Sequence, residues 1–208
     1  MISDLSPDSQ LFLFFRVLIL ISLILALLPI IWKIGKLRKR GIDPKGVTKE
    51  ASLAEVIVTS FGSLLLVTTM VLYIINPQLI VEIPLFTPIL IKLIGVIILF
   101  PGYIIYILSF RDIGDSFRIG VPQEGEKTEL KTEGIYSYTR NPMVLAIFLF
   151  CLALLFLIGN FLACLNLVFN IIGFHLKVKW EEEFLEKRFG EGYLEYKKGV
   201  KRYIPKII

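Results

Sequence analysis

Five apolar blocks, separated by polar segments, dominate the hydropathy pattern of this chain. Each is close to the roughly 20 residues that a helix needs to cross a bilayer. The predicted spans are Leu11–Trp32, Leu53–Ile75, Pro88–Phe110, Pro142–Ile158 and Phe161–Lys179. The turn Gly159-Asn160 is so short that the fourth and fifth spans must form a helical hairpin. The pattern predicts an all-α integral membrane protein with five transmembrane helices and a C-terminal helical hairpin.

Lysine and arginine are distributed unevenly among the polar segments. Of the 23 such residues, 21 lie in residues 33–49, 111–140 and 177–206, whereas residues 1–10 and 76–87 contain none. Segments rich in Lys and Arg stay in the cytoplasm. We therefore predict an N-terminus outside and a C-terminus in the cytoplasm. The first ten residues are acidic and lack the basic region of a cleavable signal, so we expect the first span to be retained.

Composition excludes several classes of protein. The chain has 208 residues, of which 55% are hydrophobic, and its mean hydropathy is +0.74, far from that of an ordinary soluble domain. The net charge of +5 follows from topology and anionic lipid, and we expect membrane lipids rather than nucleic acid as partners. Cys151, Cys164 and the single His175 give no metal-ligand spacing, so we expect no metal. No Gly-rich phosphate loop follows a strand, which excludes a Rossmann-type domain.

The segment Arg111–Asn141 is polar and charged, although it lies between two spans. It ends with Tyr136, Arg140 and Asn141 beside the start of the fourth span, where Pro142 suits a first helical turn. Polar residues this dense at a bilayer surface are costly unless they have a function. Together with the carboxylates of residues 181–183, they are suited to holding a charged, water-soluble cofactor against a lipophilic substrate.

The fifth span predicts a helix that continues beyond the bilayer to about Arg188, where Gly190 ends it. Five of its residues recur at helical spacing on one face: Asn166, Asn170, Gly173, Lys177 and Glu181. Two interpretations remain open. The two Asn can form interhelical hydrogen bonds while Lys177 and Glu181 form an ion pair. Alternatively, the face is a polar stripe that leads from the middle of the membrane to a cofactor site.

The motifs on both sides of the hairpin resemble those of a known family. They are Gly134-x-Tyr136-x-x-x-Arg140-Asn141-Pro142 and Glu181-Glu182-x-x-Leu185-x-x-x-Phe189-Gly190-x-x-Tyr193-x-x-Tyr196. At this spacing they resemble the isoprenylcysteine carboxyl methyltransferases, to which phospholipid methyltransferases are similar, over about Asp112 to Pro205. The resemblance implies an all-helical membrane enzyme that binds S-adenosylmethionine on the cytosolic side and methylates a lipophilic, lipid-borne acceptor. Residues 1–208 would form one membrane domain, with a three-span scaffold (1–110) and a catalytic half (111–208).

The resemblance also implies roles for individual residues. Those expected to bind the cofactor are Gln123, Thr128, Glu129, Leu130, Lys131, Tyr136, Asn141, Pro142, Met143, Val144 and Glu181. Those expected to act in catalysis are Arg140, Asn141 and Glu182, and those expected to contact substrate are Lys177 and Asn170. Glu181 would pair with the amino group of the cofactor, and Tyr136 would face its adenine or sulfonium.

Four positions depart from the family pattern and leave the acceptor open. Asn141 and Thr128 stand where family members have His, Val144 stands for Tyr, and Lys177 stands for Arg. Two other functions remain as alternatives. An NADPH-dependent membrane reductase of the sterol type would need a basic pocket for the 2′-phosphate. A non-catalytic membrane scaffold or binding protein is favoured by the changes at Asn141 and Val144.

Overall fold

The computed structural model describes residues 7–44, 53–76, 88–118 and 129–203. Its α-helices in these ranges are α1 (Pro7–Lys39), α2 (Leu53–Ile75), α3 (Ile89–Asp112), α4 (Pro142–Ile158), α5 (Phe161–Phe189) and α6 (Glu191–Gly199). Short 3-10 turns occur at Gly114–Ser116 and Gly134–Ser137. Within these ranges the only β-type pairing is an isolated bridge between Thr139 and Lys201. The prediction of an all-α chain is confirmed for the described residues.

Three helical stretches are long and apolar enough to cross a membrane, namely Leu13–Lys39, Ile89–Asp112 and Phe161–Phe189. Ser60–Ile75 and Pro142–Ile158 are shorter apolar helices. All five predicted spans coincide with helices, and α5 runs to Phe189 before Gly190, as predicted. Large apolar side chains cover the outside of the bundle; Leu90 and Phe100, for example, are each 72% exposed. These surfaces are those of an integral membrane protein.

Helix α3 packs most extensively against α4, because two glycines bring the backbones together. A Cβ atom on Gly95 would lie 2.8 Å from the carbonyl oxygen of Ala153, and one on Gly102 would lie 2.9 Å from the ring of Phe150. Small residues at a helix crossing allow the close approach that favours helix association in lipid. This pairing fixes the start of α4 beside the end of α3, where the polar segment begins.

Helix α2 packs against α1 and α5, and a buried amide supports the second contact. Asn170 Nδ2 donates to the carbonyl of Gly62 at 3.1 Å and to that of Asn166 at 2.9 Å. Both Asn side chains are fully buried. The structure therefore favours the interpretation as an interhelical hydrogen-bonding group for Asn170, whereas Asn166 accepts from Asn170 within α5.

Two cations near the predicted outer face bind the C-terminal carbonyls of neighbouring helices. Arg16 Nε donates to Ile74 O, near the end of α2, at 2.9 Å. Lys92 Nζ donates to Leu157 O, near the end of α4, at 2.7 Å. Helix ends leave such carbonyls without intrahelical partners, and a cation is a favourable cap there.

Candidate cofactor site

A cavity of about 160 Å³ lies where α3 ends and α4 begins. Its described walls come from the end of α3 and the turn after it, from residues 129–144, from the C-terminal half of α5 and from α6. Eleven of the predicted site residues line it: Glu129, Leu130, Lys131, Tyr136, Arg140, Asn141, Pro142, Met143, Val144, Lys177 and Glu181. The structure therefore brings together residues that are up to 52 positions apart in the sequence.

Four predicted site residues are not found in this lining. Gln123 and Thr128 lie outside the described residues. Glu182 is buried behind the wall, and Asn170 lies further along α5, in its contact with α2. Direct roles for Glu182 in catalysis and for Asn170 in substrate binding remain predictions.

The segment before α4 takes its shape from Gly134 and Asp112. Gly134 has a φ of +62°, and a Cβ atom there would lie 2.2 Å from Asp112 Oδ2. The same carboxylate accepts from the backbone N–H of Ile135 at 2.8 Å. A residue other than glycine would be strained and would collide with this carboxylate. The resulting 3-10 turn directs Tyr136 into the cavity wall, where it is 8% exposed.

The three consecutive carboxylates of α5 have different environments. Glu181 is half-buried and lines the cavity, Glu182 is 3% exposed behind it, and Glu183 is exposed. Successive residues of a helix are about 100° apart, so neighbouring side chains face different surroundings. No ion pair joins Lys177 to Glu181, both of which are described; Lys177 Nζ lies 5.9 Å from the centre of the Phe174 ring. The i,i+4 ion pair, which was one of the two interpretations left open, is therefore not formed, and both side chains line the cavity.

The Glu182 carboxylate lies between two guanidinium groups. Its Oε1 accepts from Arg140 Nη2 at 2.9 Å, from Arg140 Nε at 3.1 Å and from Asn141 Nδ2 at 3.3 Å. Its Oε2 accepts from Arg202 Nη2 at 2.7 Å. Burial alone would raise the pKa of Glu182, but the hydrogen bonds and charges of Arg202 and Arg140 hold it below its ordinary value. Glu182 is thus a fixed anion at neutral pH.

Aromatic rings form much of the remaining wall. Tyr193 and Tyr196 of α6 lie with Phe117, Phe184 and Phe189 in the lining. Tyr196 donates through its hydroxyl to the carbonyl of Tyr136 at 2.6 Å. Burial first, and then the negative charge of Glu181, raises the pKa of Tyr136, so that its phenol stays protonated. A wall of neutral rings beside the Glu181 carboxylate is suited to an organic cation with an aromatic group.

Sequence reasoning did not assign Tyr193, Tyr196 or Arg202 to the site. The two tyrosines belong to the motif quoted above, and their spacing of three residues places them on one face of a short helix. Arg202 gave no signal, because it is one cation within a basic C-terminal segment.

Comparison with known proteins bears on this same region. The phospholipid methyltransferase family model matches residues 90–192. This methyltransferase family region makes up just under half of the chain and is similar to that family. Protein-S-isoprenylcysteine O-methyltransferase from Schizosaccharomyces pombe is 35% identical over 98 residues, which are 45% of this chain and 41% of that protein. This chain therefore spans about two fifths of that relative's length, and the resemblance to these methyltransferases is confirmed.

The methyltransferase family region contains nearly all of the cavity. It includes the end of α3, the start of α4 and the part of α5 that carries Lys177 and Glu181. The cavity residues Tyr193 and Tyr196 follow it, and so does Arg202. The C-terminal segment thus completes a wall that the family match covers only in part.

Proposed function

We propose that this chain is an S-adenosylmethionine-dependent methyltransferase that acts on a lipophilic, membrane-borne acceptor. The observation that carries this proposal is the cavity of the methyltransferase family region, in which Glu181 stands beside a wall of aromatic rings. When bound there, S-adenosylmethionine would supply a methyl group activated by a sulfonium centre. The donor set fits this cofactor, because it offers a carboxylate for an ammonium group and rings for adenine and sulfonium.

The amino group and the aromatic or sulfonium part of the cofactor have matching side chains in the cavity. Glu181 would hold the amino group, and Tyr136 would hold the adenine or the sulfonium. Arg140 is a poor partner for the cofactor's carboxylate, because its guanidinium already contacts Glu182 and the carbonyls of Lys197 and Val200. Backbone N–H groups are the alternative partners for that carboxylate.

The acceptor would approach from the bilayer side of the cavity. Lys177 and Val144 line that side, next to the apolar cluster of Val144, Phe174 and Val178. An apolar wall with one ammonium group suits a lipophilic molecule that carries a polar or anionic head. Transfer needs little help beyond positioning once the nucleophile is held about 3 Å from the methyl group. A carboxylate acceptor needs no base, whereas an ammonium acceptor must first lose a proton.

The five-span topology, with the cavity in the cytoplasm, is part of this proposal. Lys/Arg asymmetry and the five apolar helices support it. Single cysteines placed at positions 82 and 126, in a chain whose Cys151 and Cys164 are replaced by Ala, test it in intact cells. Position 82 should react with an impermeant maleimide, and position 126 should react only after permeabilisation. The reverse labelling pattern would contradict the proposed topology and the placement of the cofactor cavity in the cytoplasm.

Calorimetry on detergent-purified protein separates the three candidate functions. Binding of S-adenosylmethionine without binding of NADPH is the expected result. A reductase would need a basic pocket for the 2′-phosphate, but two of the cations in the lining are already paired, Arg140 with Glu182 and Lys131 with Glu129. Binding of NADPH alone would favour the reductase, and binding of neither would favour the scaffold.

A screen for the acceptor then follows from the cofactor result. The purified protein is incubated with radiolabelled S-adenosylmethionine and either membrane lipid extracts or a prenylated cysteine. The label should enter a lipophilic product. Absence of product with every lipophilic acceptor, despite tight cofactor binding, would contradict the proposed reaction.

A further inference from the structure

The C-terminal segment is tied to α5 by an ion pair between Arg202 and the buried carboxylate of Glu182. Arg202 donates to both oxygens of Glu182, through Nε at 3.1 Å and through Nη2 at 2.7 Å. The side chain of Glu182 is 4% exposed and that of Arg202 is 30% exposed. This fork-to-carboxylate geometry is the strongest form of charge-assisted hydrogen bond between side chains.

The same segment pairs with the chain before α4 through its backbone. The N–H of Arg140 donates to Lys201 O at 2.9 Å, and that of Asn141 donates to Arg202 O at 3.1 Å. Thr139 Oγ1 donates to Arg202 O at 3.0 Å. Arg140 Nη1 also donates to Lys197 O and to Val200 O, beside the end of α6. Residues 200–202 are thus attached at several points to residues 139–141.

This attachment determines where α6 lies. The helix has nine residues, and it follows α5 through Gly190, whose φ is +54°. A helix this short is not stable by itself. Its position is therefore fixed at its far end by residues 200–202, and in the middle by the hydrogen bond from Tyr196 to Tyr136 O. Tyr193 and Tyr196, which line the cavity, depend on that position.

We propose that Arg202 is a positioning residue for the cofactor cavity. By holding the Glu182 carboxylate, it keeps residues 200–202 on residues 139–141 and so keeps the two tyrosines of α6 in the wall. The expected change in affinity for S-adenosylmethionine rests on the proposed function. The expected loosening of the C-terminal segment is independent of that function. Arg202 acts through the wall and touches neither cofactor nor acceptor.

The test compares Arg202→Gln, Arg202→Lys and a matched control, Lys198→Gln, in full-length protein. Lys198 is an exposed cation of α6, so its change removes the same charge without touching Glu182. Hydrogen exchange measures the amides of Arg140 and Asn141, which donate to the C-terminal segment. Calorimetry measures the affinity for S-adenosylmethionine, and acceptor titrations separate KM from kcat.

In Arg202→Gln the two amides should exchange about tenfold faster, because the attachment opens more often. Affinity for S-adenosylmethionine should fall about five- to thirty-fold, less than the roughly ten- to hundred-fold scale of a lost charged hydrogen bond, because Arg202 acts only through the wall. KM for S-adenosylmethionine should rise more than kcat falls. Arg202→Lys should be intermediate, since it keeps the charge but loses the fork. Lys198→Gln should behave like the unchanged protein.

Unchanged exchange in Arg202→Gln would overturn the proposed attachment. Faster exchange with unchanged affinity would overturn the positioning role. If Arg202→Gln does not fold, Arg202→Lys decides by the same two measurements. If the unchanged protein binds no S-adenosylmethionine, the proposed function fails, while exchange still shows whether Arg202 holds the segment.

Discussion

The two ends of the α4–α5 hairpin, its turn at Gly159-Asn160 and its open end beside the cavity, use their polar groups differently. At the turn, three polar contacts involve the backbone. Asn160 Oδ1 accepts from Ala163 N at 2.8 Å, Gly159 N donates to Leu155 O at 2.8 Å, and Lys92 donates to Leu157 O. At the other end, side-chain charges meet each other around Glu182, and Glu181 faces a cavity.

The contrast shows how charge is divided between support and function. The polar groups at the turn cap the ends of the helices. None of the contacts named above involves a group that faces the cavity. The cavity end commits Arg140, Arg202 and Glu182 to one another, and this leaves Glu181 in the lining. The residue type therefore does not show whether a charged side chain supports the fold or is available to a ligand. That depends on whether another residue of the protein already pairs with it.

The largest effect is expected at Glu182. Glu182→Gln leaves the guanidinium groups of Arg140 and Arg202 without their buried counter-charge, which should cost about 3–5 kcal/mol of folding stability. Thermal unfolding in detergent measures it, with Glu183→Gln as the control on an exposed face. Equal unfolding temperatures for the two variants would show that the network does not support the cavity end.

Glu181→Gln should affect binding and leave folding almost unchanged. If its carboxylate pairs with the amino group of the cofactor in a partly desolvated site, its loss should cost about 2–4 kcal/mol. That is about thirty- to a thousand-fold in affinity for S-adenosylmethionine by calorimetry. Glu183→Gln is again the control, because it lies roughly 200° around the helix from Glu181. Equal affinities in the two folded variants would reject the assigned role.

Acid should weaken the cavity end before the turn. The pKa of Glu182 is lowered in the folded protein by Arg202 and Arg140, which outweigh burial. A lowered pKa contributes stability above the unfolded pKa, and that contribution is lost as the pH falls through the folded value. Stability measured by thermal unfolding should therefore fall below about pH 4.5, the ordinary value for Glu. The Glu182→Gln variant should not show this loss of stability in acid. If the variant and the unchanged protein depend on pH in the same way, the role of Glu182 in acid sensitivity is contradicted.

The smallest effect is expected at the turn. Asn160→Ala removes the acceptor for the Ala163 N–H and should cost about 1 kcal/mol of stability, as the loss of a helix N-cap usually does. Affinity for S-adenosylmethionine should not change. Asn160→Asp keeps a capping oxygen and serves as the control. A loss of cofactor affinity in Asn160→Ala alone would show that the two ends are coupled.

The helices could be predicted because their signals are local. Apolar length, the Gly159-Asn160 turn, Pro142 at the start of α4 and Gly190 at the end of α5 are each read from a few neighbouring residues. Much of the cavity lining could also be named, once the motifs were matched to a family. The different roles of Glu181 in the cavity lining and of Glu182 in the ion pairs could not be predicted, because both residues lie in one run of charged residues. Only the positions of Arg140 and Arg202 decide which carboxylate is buried.

Arg202 and the second contact of Asn170 were missed for the same physical reason. Each depends on a partner distant in sequence, Glu182 in one case and Gly62 in the other. No local pattern distinguishes such a residue from its neighbours. Lys92 is a third example, since the sequence gives no sign that it reaches Leu157.

The cap that Lys92 provides has a consequence for the surrounding lipid. Helix α4 has 17 residues and is therefore about 26 Å long at 1.5 Å per residue, shorter than a hydrocarbon core of about 30 Å. In the proposed five-span topology its end, with a lysine ammonium against it, would lie within the hydrocarbon core of a typical bilayer. The bilayer beside the hairpin would then have to become thinner to bring headgroups to that ammonium, at a cost that grows with hydrophobic mismatch. The protein should therefore favour thin bilayers over thick, sterol-rich ones.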